Sequence, residues 1–265
     1  MWQVSPYRRR SLLGQLVIVL VGAELLFFSG FLNFSLPVGS GGNLSAAARN
    51  VLRQLAGQLP PPVRAELCCC LPAARQPDEP VAFTTYLGQA PVAVFVGYIL
   101  GPILGALAAI LYLLTGIFGA AVNVHPFVAG GGVSYYSQPS CGYLIGLAAG
   151  AFAAGKLTDG KRTSLSQCLA VLSGVGLIHL FGLVWLFGYV IVSGMAEGLE
   201  HQPVWAQWVF EEARNLSWYP LPWDLTFAVM LVGLGFPFRW LVDLLTARDI
   251  GPKPRRQARL EEIKP

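Results

Sequence analysis

The chain reads as an all-α membrane protein, a bundle of six transmembrane helices with both termini cytoplasmic. Three observations predict this. Mean hydropathy is +0.56, with 54% of residues hydrophobic. Only 12% are charged, against about a quarter in soluble domains. Apolar runs long enough to cross a bilayer recur between short polar segments, and Lys and Arg stand beside them. The net charge of +4 therefore points to the lipid bilayer as a partner and not to nucleic acid. The division that follows is a basic cytoplasmic tail over 1–10, a single six-span domain over 11–245 and a second basic cytoplasmic tail over 246–265.

Arg8, Arg9 and Arg10 precede an apolar run over 12–28, broken only by Gln15 and Glu24. A signal-peptide core holds about 7–15 apolar residues. This run is longer, and the small residues Ala46 and Ala48 lie too far beyond it for cleavage. It is the first span. Glu24 inside it is expected to face a cavity or a partner, as intramembrane carboxylates do, together with Gly22 and Ala23.

Residues 37–80 form an extramembrane insert, because Pro60, Pro61, Pro62, a GSGG run and mixed charge forbid a span. Within it a short helix is expected over 46–59, with Leu44, Ala48, Leu52 and Leu55 on one face. The second span is placed at 81–100 and entered through Phe83, Thr84 and Thr85. After the uncharged Gly101-Pro102 turn, the third runs over 103–118. The fourth covers 142–156 and is small-faced: Gly146 and Gly150, Ala149 and Ala153, and Ala151 and Gly155 each stand four apart. Such spacing lets helix backbones approach closely in lipid. The fifth covers 165–193, with His179 at its middle expected to bond across helices. Residues 195–222 place Trp205, Trp208 and Trp218 among acidic side chains, which suits a segment lying in the membrane interface. The sixth span runs over 223–245, with Pro237 as a kink or an early end.

Between the third and fourth spans, residues 127–147 read FVAGGGVSYYSQPSCGYLIGL. Gly130, Gly131 and Gly132 oppose a helix; Pro139 suits a helix start. Irregular backbone at membrane depth survives only where it is buried or lines a cavity. The stretch is thus either a ligand site or an ordinary exposed loop. A second candidate is Asp224 at the start of the sixth span, an acid that either caps its helix or meets a ligand.

The run GGGVSYYSQPSCGYLIG resembles the glycine-rich loop and following helix of the BioY family, the biotin-binding S components of energy-coupling-factor (ECF) vitamin transporters. Gly130, Gly131, Gly132, Tyr135, Pro139, Gly142, Tyr143, Leu144 and Gly146 fall in step with the family pattern, and Ser140 stands where Thr is usual. Phe83, Thr84 and Gln89 resemble a Phe-Thr…Gln entry to the second span. Leu221-Pro222-Trp223-Asp224 resembles a Leu-Pro-Gly-Asp-x-x-Lys pattern whose Asp and Lys contact biotin. Here Trp223 replaces the Gly and Phe227 replaces the Lys.

The resemblance implies a substrate-binding subunit for uptake of biotin or a related small vitamin, in the bacterial plasma membrane. It implies an ECF energising module as partner, made of a transmembrane coupling subunit and ATPases, since the chain carries no GxxxxGK[ST] nucleotide motif. It implies a ligand site of Asp224, Tyr143, Gly131, Gly132, Tyr135, Gln138, Ser140, Thr84 and Gln89. Asp224 would accept from the urea N–H groups, and the glycine N–H groups would form an anion-accepting nest. No catalytic residue, metal or cofactor is expected; the cysteines Cys68, Cys69, Cys70, Cys141 and Cys168 lack metal or disulfide spacing.

Orientation follows from Lys and Arg. Twelve lie on the side of the termini and five on the other, which puts the termini in the cytoplasm and the central loop and the starts of spans two and six outside. Two other readings stand beside this one. The first is a BioY-like protein whose ligand specificity is altered or lost, prompted by Phe227. The second is an intramembrane hydrolase, with Ser134 and His179 as its pair.

Overall fold

The computed structural model describes residues 12–38, 41–70, 80–119, 127, 131–159, 163–196 and 207–246. The two tails, the start of the glycine run at Gly130, and His125 lie outside the described residues, as do parts of the insert and of the 195–222 segment.

The long apolar runs form helices because lipid leaves their backbone no other way to satisfy its polar groups. They are α1 (Leu12–Ser29), α5 (Pro102–Gly119), α7 (Ser164–Ala196) and α9 (Leu221–Thr246). Four helical stretches among the described residues are long and apolar enough to cross a membrane: Leu12–Ser29, Pro102–Gly119, Ser164–Ser193 and Trp208–Val242. The last joins α8 (Gln207–Ala213), a π-helical turn (Arg214–Trp218) and α9. Pro237 sits inside α9 and does not end it.

Two apolar helices are shorter: α4 (Gln89–Leu100) and α6 (Cys141–Leu157). A span over 81–100 is therefore not what forms. Its first part is a strand, β2 (Phe83–Leu87), paired antiparallel with β1 (Asn33–Pro37) from Asn33 opposite Leu87 to Pro37 opposite Phe83. The all-α expectation is corrected to mostly helical with one two-stranded sheet. The reason is local: Phe-Thr-Thr-Tyr-Leu is rich in β-branched and aromatic residues. Gly88 then lets the helix begin, with Pro91 tolerated in its first turn.

The insert carries α2 (Gly41–Gln58) and α3 (Pro61–Cys70), the latter opened by prolines whose missing N–H groups are not needed there. The buried face of α2 is Ala46 and Ala56, while the expected Leu52 and Leu55 are exposed. Asn43 fixes the insert to the sheet by accepting from Ala82 N–H at 2.7 Å and donating to the Ala82 carbonyl at 2.8 Å.

α6 lies at the centre, packed on α7, α5 and α4. A Cβ on Gly142, Gly146 or Gly150 would meet the carbonyls of Phe181, Ile178 and Gly174 at 2.6, 2.8 and 2.7 Å. On the other side, a Cβ on Gly97 of α4 would overlap the Ala151 carbonyl. Glycine is required at these crossings because backbone touches backbone. The helix begins at Cys141, two residues after Pro139, which lies in the preceding turn. Toward the far end of the bundle, the buried Arg239 guanidinium donates to the Tyr98 carbonyl, lies 5.6 Å from the Tyr98 ring and reaches Thr158 Oγ1 at 3.5 Å. It ties α9 to the ends of α4 and α6. Glu24 is exposed, whereas Gly22 and Ala23 are buried, so the carboxylate looks away from the bundle.

Candidate functional site

A cavity of about 320 Å³ opens where β2, the first turns of α4, α6 and α9, the middle of α7 and the π-helical turn converge. Its lining includes Gln89, Tyr135, Gln138, Ser140, Tyr143, His179, Glu212, Asn215 and Asp224.

Asp224 is the hub. It is 3% exposed, and its backbone N–H already bonds Pro220 O at 2.9 Å within the helix start. Its carboxylate does not cap α9. Oδ1 accepts from the Tyr86 hydroxyl at 2.7 Å, and Oδ2 lies 3.0 Å from His179 Nε2. The other ring nitrogen, His179 Nδ1, is 3.2 Å from Ser217 Oγ, which in turn is 2.6 Å from the Tyr143 hydroxyl. One consistent direction runs through the chain. Tyr143 donates to Ser217, Ser217 donates to Nδ1, and Nε2–H donates to Asp224, a tautomer assigned from the network. A buried carboxylate survives only when satisfied in this way.

Burial raises the Tyr86 phenol well above its ordinary value, and the neighbouring Asp224 charge raises it further. Tyr86 is thus a protonated donor at every physiological pH. Burial likewise raises Tyr135, whose hydroxyl pairs with Ser140 Oγ at 3.0 Å. Gln89 donates to the Tyr112 hydroxyl at 2.8 Å. Trp185 Nε1 donates to the Gln138 carbonyl at 3.2 Å, holding the loop end against α7.

Of the expected site residues, Asp224, Tyr143, Tyr135, Gln138, Ser140 and Gln89 line this cavity; Gly131, Gly132 and Thr84 do not. Gly132 has φ 92°, a conformation that favours glycine, and its N–H donates to the Gly116 carbonyl at 3.0 Å. That N–H is spent on anchoring the loop to α5, so an anion nest cannot use it. Thr84 misses the cavity because β2 is a strand: with a period of two, Thr85 and Leu87 share the lining face and Thr84 points to the other. The 3-10 turn Val133–Ser137 carries Tyr135 inward, where its ring lies 4.7 Å from Phe127.

Sequence reasoning missed Tyr86, Ser217, Glu212 and Asn215, and gave His179 only a structural bond. The signal for His179 was present, since an ionisable group within an apolar span is a site candidate. Tyr86 and Ser217 gave none. A second, apolar cavity of about 210 Å³ shares Phe127, Tyr135 and Leu144 with the first.

The hydrolase pair is overturned: Ser134 is exposed, and both nitrogens of His179 face Ser217 and Asp224 instead. Ser217, His179 and Asp224 are the residue types of a hydrolytic triad, but Ser217 is outside the cavity lining and its oxygen is engaged by Tyr143. Phe227 stands 5.5 Å from the Tyr86 ring and 6.3 Å from Trp223. Among the described residues, no three His, Cys, Asp or Glu side chains gather to hold a metal.

Comparison with known proteins bears on these residues. The chain is 30% identical over 166 residues to an uncharacterized 21.2 kDa protein of Cyanophora paradoxa, covering 60% of this chain and 79% of that one. It is 28% identical to a probable biotin transporter BioY of Lysinibacillus sphaericus and 32% identical to the biotin transporter BioY of Thermotoga maritima, each over 114 residues. The chain spans 56% and 64% of the length of those two transporters and 43% of itself is matched in each. The crystal structure of an S-component for biotin from an ECF-type ABC transporter is similar with a TM-score of 0.49 and 15% identity, over 86% of this chain and 92% of that one. The model of the BioY family matches residues 67–242, which hold the β2 strand, the central loop and Asp224, and the chain belongs to that family.

Proposed function

We propose that this protein is the substrate-binding membrane subunit of a biotin uptake system. It is a transport protein and not an enzyme. The observation that carries the proposal is the cavity itself. A buried carboxylate with two lone-pair directions still open, aromatic walls and a few amide and hydroxyl groups suit a flat urea on an apolar ring. Asp224 receives the urea N–H groups, Tyr143 and Tyr135 flank the rings, and Gln138, Gln89 and Ser140 supply polar partners.

In this reading the chain crosses the membrane six times, through α1, the short α4, α5, α6, α7 and α9. Both termini are cytoplasmic, and the cavity opens to the outside of the plasma membrane. The Arg239 cluster then lies toward the cytoplasm. Energy comes from an ECF module of a coupling subunit and ATPases, since the chain has no nucleotide motif of its own. A second reading, a changed ligand preference, is favoured by Phe227, whose ring lies among Tyr86 and Trp223 and offers no cation to a carboxylate.

The test is binding of radiolabelled biotin to the purified full chain in lipid nanodiscs, with uptake measured in cells with and without an energising module. Biotin binding is expected to fall at least tenfold in Asp224→Asn, with insertion into the membrane unchanged. Undiminished binding in that variant removes Asp224 from the site.

A further inference from the structure

His179 lines the cavity from the middle of α7, is 7% exposed, and has a partner at each ring nitrogen. Three elements fix which nitrogen carries the proton. The Tyr143 hydroxyl on α6 lies 2.6 Å from Ser217 Oγ in the π-helical turn, and Ser217 Oγ lies 3.2 Å from Nδ1. With Nδ1 accepting, the proton of the neutral ring rests on Nε2, 3.0 Å from Asp224 Oδ2 on α9. The Tyr143 ring also stands edge-on to the imidazole at 5.9 Å. The fold therefore turns an N–H, and not a lone pair, toward the buried carboxylate.

A carboxylate taken out of water keeps its charge through the hydrogen bonds donated to it. Asp224 receives one from Tyr86 on Oδ1 and one from His179 on Oδ2. Its state matters to a ligand that offers N–H groups. The ionised form only accepts, whereas the acid form turns one oxygen into a competing donor. A neutral imidazole suits this position because it donates without cancelling the charge of its partner, as a lysine or arginine there would. Among the described residues, no Lys or Arg lines the cavity. The titratable groups around the pair are Tyr86 of β2, Tyr143 of α6 and, in the same cavity lining, Glu212 of α8. α4 contributes the uncharged Gln89, and the π-helical turn contributes Asn215 and Ser217.

We propose that His179 is a positioning residue for ligand binding, a neutral N–H donor that keeps Asp224 an ionised acceptor for the urea. The inference rests on the biotin-uptake reading and adds a residue to that site. His179 acts through Asp224. An apolar side chain in its place leaves the carboxylate with Tyr86 as its side-chain donor, and the acid form then competes with the urea for the same oxygens. Raising the pH removes that proton and returns the acceptor, so the defect is corrected by pH. A defect of packing is not.

Isothermal titration of the purified full chain in nanodiscs with biotin, at pH 6.0 and pH 8.5 (about the range over which an ordinary carboxylic acid stays ionised), tests the point. His179→Leu is expected to bind at least tenfold more weakly than the parent at about pH 6 and to recover at least threefold by about pH 8.5. His179→Met serves if the leucine variant does not fold, since its flexible chain fills irregular gaps. His179→Gln keeps an N–H donor and is expected to restore most of the loss at the lower pH. Parent-like binding in the apolar variant, or a loss of the same size at both pH values, overturns the inference and leaves the uptake reading intact. A loss in His179→Gln as large as in the apolar variant overturns it too. No binding of biotin by the parent at either pH overturns both.

Discussion

At Gly182 a Cβ would overlap the ring of Tyr143, so the position of one aromatic side chain depends on a missing methyl group on the neighbouring helix. Tyr143 in turn holds Ser217, which orients His179 toward Asp224. Gly182→Ala should push the Tyr143 ring off Ser217 and loosen that chain of bonds. The expected loss is about tenfold in ligand affinity, or about 1.4 kcal/mol, measured by titration on the purified protein. Affinity equal to that of the parent would show that Tyr143 does not orient the hub. The same residue scale is where sequence reading failed most. Tyr86 and Asp224 are 138 positions apart, and His179 and Asp224 are 45 apart; no local pattern announces such pairs. Asp224 was legible because a carboxylate in a span stands out by itself. Tyr86 was hidden because tyrosine in an apolar stretch is unremarkable until its hydroxyl is given a partner.

The elements divide by length. α1, α5 and α7 lie within three residues of their expected bounds, since a long apolar run in lipid has one solution. α4 was overextended because hydropathy does not distinguish a short strand from the first turns of a span; only the Thr-Thr-Tyr sequence separates them. The close crossings of α6 were legible from small residues four apart, and they give a paired prediction. Gly97→Ala drives a Cβ into the Ala151 carbonyl, and a substitution of this kind costs about 1–3 kcal/mol or more. Gly176→Ala on α7, where nothing lies within 4 Å, should be neutral or slightly stabilising because alanine is the better helix former. Thermal unfolding of both variants in detergent checks this. Equal melting temperatures would mean that α4 and α6 do not meet as described.

For the whole molecule, the proposed orientation rests on the distribution of Lys and Arg. α7 has 33 residues, about 50 Å at the rise of a helix, against a hydrocarbon core of about 30 Å. One end must stand clear of the apolar layer or the helix must tilt. Cys168 is exposed in the first turns of α7, and Cys69 and Cys70 are exposed at the end of α3. A membrane-impermeant maleimide applied to intact cells should label Cys69 and Cys70, and Cys168 only after permeabilisation. The reverse pattern would invert the topology and turn the cavity toward the cytoplasm.

The glycine seam between α6 and α7 has a mechanical consequence. Where two backbones lie in direct contact there is no side chain left to yield, and sliding one past the other would strip many contacts at once. The pair therefore behaves as a single stiff wall carrying Tyr143 on one leaf and His179 on the other. Any breathing that admits a guest must come from the lighter elements around the cavity, the two-stranded sheet and the short α8, which contribute Thr85, Leu87 and Glu212 to its lining.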